Sequence, residues 1–71
     1  MNRIHPKKLL NSKWTAVIPK QKEKHFIISE VEFDENSLLQ RCVIQAVFSK
    51  SEWEIDWRTL KDSSVWKVGW S

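Results

Sequence analysis

The sequence predicts a small all-β domain: a curled antiparallel meander of four to five strands, SH3-like or a partly open barrel, with a short helical turn near each end. Three observations predict it. Runs rich in Val, Ile, Phe and Trp alternate apolar and polar residues with period two, the signature of half-buried strands. Polar clusters at Pro19 to Lys24, Asp34 to Ser37, Ser49 to Ser51 and Asp62 to Ser64 punctuate those runs. The registers those clusters impose agree on a single apolar face, and a slip of one residue would turn a strand to the wrong side.

Residues 1–12 form a basic arm ahead of a single β domain over 13–71. Within the arm, His5-Pro6-Lys7-Lys8-Leu9-Leu10 suits one helical turn with proline at its first position. A turn at Pro19 to Lys24 places Ile18 opposite His25, Ala16 opposite Ile27 and Trp14 opposite Ser29. A turn at Asp34 to Ser37 places Phe33 opposite Leu38, Val31 opposite Gln40, Ser29 opposite Cys42 and Ile27 opposite Ile44. On the reverse side Glu30 meets Arg41, an opposite-charge pair of the kind that stabilises sheets. A loop at Ser49 to Glu52 places Phe48 opposite Trp53, Ala46 opposite Ile55 and Ile44 opposite Trp57. The apolar face is therefore expected to hold all of these apolar residues. The reverse face is expected to carry Phe26, Ile28, Leu39, Val43 and Val47, so that something covers it or the sheet curls. Trp53, Trp57 and Leu60 also fit a helical stripe, but a strand through Arg58 accounts for Ile55 as well, with a helical turn near Thr59 to Ser64. Trp66-Lys67-Val68-Gly69-Trp70 reads as a short fifth strand that closes against the first and hides both edges.

Composition supports one thin core. A chain of 71 residues is one domain at most, and its five tryptophans can supply much of that core. A lone cysteine closes no intramolecular disulfide, and the start lacks the apolar stretch of a signal peptide, so a cytoplasmic setting is expected. The longest apolar runs are too short to span a bilayer. The net charge of +3 is split unevenly, with +6 over residues 1–25 and −3 over residues 26–71.

Several pieces in order resemble a family of short tryptophan-rich bacterial proteins known only as a domain of unknown function. They are Lys13-Trp14-Thr15-Ala16-Val17 with Pro19, then Lys22-Glu23-Lys24-His25-Phe26. Ala46-Val47, Asp56-Trp57-Arg58 with Leu60 and Asp62, and Trp66 with Gly69-Trp70 follow. The resemblance spans residues 13–70 and implies a bacterial, cytoplasmic, free-standing protein. It implies no activity.

No catalytic constellation emerges from the residues. His5, His25 and Cys42 lack the spacing of a structural zinc site. Cys42 with His25 and Asp56 makes a poor triad, because a cysteine alternating with Ile44 and Ala46 on the core face reads as a small hydrophobe. Glu30, Glu32, Glu52, Glu54 and Asp56 read as a solvated face balanced by Arg41 and Arg58, not as an acid–base pair in contrasting environments. One glycine, Gly69, excludes a phosphate-cradling loop. The expectation is a non-enzyme with no metal and no cofactor.

The first functional expectation is a small interaction module that docks on another bacterial protein through Phe26, Ile28, Val43, Val47, Trp66 and Trp70. The second is single-stranded nucleic-acid binding through Lys7, Lys8, Lys13, Lys20, Lys22 and Lys24 with exposed tryptophans as stacking platforms. Trp66 and Trp70 are assigned to core or surface by neither argument. No membrane role is expected, and the protein is expected to be a monomer or a weak homo-oligomer.

Overall fold

The computed structural model describes residues 2–20 and 23–70, the Lys20 side chain excepted. A 3-10 turn at Pro6–Lys8 precedes five strands: β1 (Lys13–Lys20), β2 (Glu23–Phe33), β3 (Leu39–Ala46), β4 (Glu52–Ile55) and β5 (Trp66–Val68). A second 3-10 turn, Trp57–Lys61, joins β4 to β5. The strands form one open antiparallel sheet in the order β4-β3-β2-β1-β5. The all-β class, the meander and the short turn near each end match the sequence expectation. The fifth strand pairs with the first as expected, but it does not hide both edges: β4 and β5 are the two edge strands, because β5 adds to β1 without reaching β4.

The core lies on one face. Trp14, Phe26, Ile28, Cys42, Ile44, Ala46 and Trp66 form it, with Leu9 from the N-terminal segment and Leu60 from the second 3-10 turn. Phe26 packs edge-on against both Trp53 of β4 and Trp66 of β5, at 5.8 and 5.1 Å between ring centroids. The outer strands thus fold inward over one central ring, and this is the curl of the sheet.

Register irregularities rearrange the faces. Between Thr15 and Lys20 the β1–β2 pairing shifts, so that Trp14 faces Phe26 and not Ser29. Between Ile28 and Glu30 the β2–β3 pairing slips by one residue, with Ser29 as the extra residue of a bulge. Phe26 and Ile28 therefore face the core before the bulge, and Val31 faces it after. Sequence alternation alone puts Ile27 in the core and Phe26 and Ile28 on the reverse; the structure exchanges them. A second irregularity between Glu32 and Phe33 pairs Phe33 with Leu39, which packs against the core, and leaves Leu38 exposed.

The β3–β4 connection is longer than a four-residue loop. Ile44 pairs with Trp53 and Cys42 with Ile55, a shift of four residues from the expected register. An even shift keeps every side chain on its face, so Ile55 stays inward. Phe48 moves out of the strand and into the loop, where it is 90% exposed. Ile18, expected in the core, lies beyond the short span that β5 covers and is 77% exposed. The expected strand through Arg58 ends at Ile55. Asp56 caps the following turn by accepting from the Arg58 N–H at 3.0 Å, and Trp57 is half-buried.

The N-terminal segment is packed, not trailing. Asn2 donates from its backbone to Lys61 at 3.0 Å, and from its amide side chain to the carbonyls of Leu60 (2.9 Å) and Trp66 (2.6 Å). Leu9 is 3% exposed and Ile4 packs beside it.

Candidate functional site

Because the sheet curls without closing, an apolar cleft of about 550 Å³ remains between its two outer strands. Phe26 and Ala16 form the floor, Trp53 one wall, and Val65 with Trp66 the other. Ile18, Glu23, Ser49 and Ser51 form the end of the cleft where the β1–β2 hairpin meets the β3–β4 loop. A carboxylate holds that end together. Glu23 accepts from the Ser49 N–H at 2.9 Å and from the Ser49 hydroxyl at 2.6 Å. The hydroxyl bond is the main cause that keeps the Glu23 carboxyl below its ordinary range. Phe48 adjoins this clasp and points its apolar ring to water.

The reverse face is acidic at one end. Arg41 reaches Glu30 at 2.8 Å, Glu32 at 3.4 Å and Glu54 at 3.7 Å, so three carboxylates share one guanidinium. Those carboxylates hold the Arg41 proton more firmly than usual, the hydrogen bond to Glu30 foremost. Glu52 accepts from the Ser29 hydroxyl at 2.7 Å. The other end is aromatic and basic. Gly69 adopts φ +81, a left-handed conformation that glycine takes readily, and leads the chain to Trp70. The Trp70 indole N–H donates to the Phe26 carbonyl at 2.9 Å, its ring lies 5.8 Å from His25, and the Lys13 ammonium sits 4.9 Å above it.

These positions revise the sequence-derived docking residues. Phe26, Ile28 and Trp66 are core residues, and Val43 is buried on the reverse face between Glu30 and Glu54. A buried side chain presents nothing to a partner, so these four drop out. Val47 is half-buried, and only Trp70, at 43%, is substantially exposed. Of the basic set, Lys7 and Lys8 are exposed on the first 3-10 turn, Lys24 is exposed on β2, and Lys13 is engaged with Trp70. Lys22 and the Lys20 side chain lie outside the described residues. Cys42 is buried in the core, and burial pushes its thiol up to about 11. Among the described residues no three His, Cys, Asp or Glu side chains gather as a metal site. No helix there is long and apolar enough to cross a membrane.

Alternation assigns to the core both Ile18 and Trp53, which line the cleft, and Phe48, which lies outside it beside Lys24, His25 and Val47. No residue-type signal marks the longer loop that releases Phe48. Its left-handed position is Lys50 at φ 65, where glycine or asparagine would have announced the turn.

No curated protein and no solved structure matches the chain. A family match covers residues 12–71, from just before β1 through β5 and Trp70, and so includes every strand that builds the cleft. By that match the chain belongs to the tryptophan-rich protein family DUF2389.

Proposed function

We propose that this chain is a non-catalytic docking module for another protein of the bacterial cytoplasm, with the cleft between β4 and β5 as its contact surface. The observation that carries this reading is the cluster of large apolar side chains left in water around the cleft. Of its lining residues, Ile18 is 77% exposed, and Trp53 and Val65 are each 44% exposed. Such residues cost solubility when grouped, and a group of them at a concave site is the usual mark of a binding surface.

The test is native co-purification of the tagged chain at low salt after nuclease treatment, compared with the Ile18→Ser and Val65→Ser variants. Both side chains are exposed, so each substitution changes stability by no more than about 0.5 kcal/mol. The expected result is a protein retained by the parent chain and lost from both variants. Equal retention by all three removes the cleft from the reading.

A nucleic-acid reading draws support from Trp70 beside Lys13. It is the weaker one, because a base stacking on that indole competes with the lysine and the imidazole already against it. Binding of a single-stranded oligonucleotide that falls by about 0.7 log units per log unit of salt for each phosphate contacted would favour it.

A further inference from the structure

We infer that the free edge of β4 takes up an extended partner segment as an added strand, and that basic residues alternate with apolar ones in that segment. The inference rests on the docking reading and supplies the chemistry of its partner.

The backbone sets the first condition. Ala46 donates to Ser51 at 2.8 Å, and Val47 donates to His25 at 3.0 Å. Hydrogen-bonded pairs alternate along an antiparallel ladder. Ile44 with Trp53 and Cys42 with Ile55 are therefore the bonded pairs between β3 and β4. The N–H and C=O groups of Glu52 and Glu54 point away from the sheet. An added strand finds two donors and two acceptors there.

The side chains set the second condition. On the core face the guest lies beside Trp53, which is half-exposed, and Ile55, so its residues on that face must be apolar. On the reverse face it lies beside Glu52 and Glu54, with Glu30 and Glu32 behind them and Arg41 as the shared cation. Like charges placed directly opposite destabilise a strand pair, and opposite charges stabilise it. The reverse-face residues of the guest must therefore be Lys or Arg. Pairing of β4 with β4 of a second copy sets glutamate against glutamate and is disfavoured.

The test uses the full isotope-labelled chain and two blocked synthetic octapeptides, one alternating Lys with Val, the other Glu with Val, followed by amide chemical shifts. The Lys–Val peptide is expected to shift the Glu52 to Ile55 amides, to slow solvent exchange at Glu52 and Glu54, and to bind at least ten-fold more tightly than the Glu–Val peptide. The Glu54→Lys variant, which leaves one glutamate and one lysine facing the guest, is expected to lose most of that preference. Shifts that miss β4, or equal binding of the two peptides, overturn strand addition. If Ile18→Ser and Val65→Ser still abolish partner retention in that case, the docking reading stands without it; if they do not, the docking reading falls on its own test. Self-association of the parent chain abolished by Glu54→Lys also overturns the proposal, because the occupant would then be the Trp66-Lys67-Val68 edge of a second copy.

Discussion

Cys42 is 1% exposed in the middle of β3, and its thiol is pushed up to about 11 by burial. Reaction with a disulfide reagent at pH 8 is expected to be slow in the folded protein and fast in urea, because the thiolate is the reactive form. The same shift carries a pH dependence of stability. As pH rises above about 9 the unfolded chain loses the thiol proton while the folded chain keeps it. Stability is therefore expected to fall between about pH 9 and 11, by roughly 2–3 kcal/mol in all, and a Cys42→Ala variant should show less of this decline in urea titrations. The sequence placed Cys42 in the core correctly, since β3 runs straight from Cys42 to Ala46. It placed Trp14 correctly as well. Trp14 is 2% exposed and its indole N–H donates to the Ser12 hydroxyl at 2.9 Å. Trp14→Ala is expected to cost about 3–5 kcal/mol and to abolish the near-ultraviolet circular dichroism of the fold. Ile18→Ala should change it little, although alternation assigns both residues to one face.

At the scale of an element, the bulge at Ser29 separates what was legible from what was not. Alternation predicts faces only while pairing stays in register. A single extra residue leaves Val31 where expected and exchanges Phe26 and Ile28 with Ile27. Ser29 secures the bulge by donating to Glu52 of β4 at 2.7 Å, across the width of β3. Nothing in the residue types around Ser29 announces this, since serine also suits a regular strand edge. Deleting Ser29 sets Glu30 directly after Ile28 opposite Val43 and keeps Phe26, Ile28 and Val31 together on the core face, at the cost of the bond to Glu52. The variant is expected to keep its core and to lose only about 1–2 kcal/mol in chemical denaturation, the worth of that one hydrogen bond. Loop geometry supplies an opposite case. Lys50 is held at φ 65, where a side chain costs about 1–2 kcal/mol relative to glycine. Lys50→Gly is expected to raise the melting temperature by a few degrees.

Across the whole molecule, the core draws on more chain than the strands. Leu9 and Ile4 close over it, and Asn2 ties them to Leu60 and Trp66, although the family match begins at residue 12. A variant that starts at residue 12 is expected to lose about 2–5 kcal/mol, the range for emptying a buried leucine site, and to melt earlier. The basic character of the arm was plain in the sequence. Its packing was not, because Ile4, Leu9 and Leu10 carry no periodicity.

The strand order β4-β3-β2-β1-β5 also sets a temporal order. Three hairpins pair neighbours along the chain, but β5 reaches β1 only after the whole meander has passed between them, as in the bond from the Thr15 hydroxyl to the Gly69 carbonyl at 2.6 Å. Closing so long a span is entropically costly and comes late in folding. A weakened β5, as in Val68→Ala, is therefore expected to open the protein faster in stopped-flow unfolding while leaving the refolding rate almost unchanged. The cleft wall that β5 supplies is the last part of the molecule to form and the first to be lost.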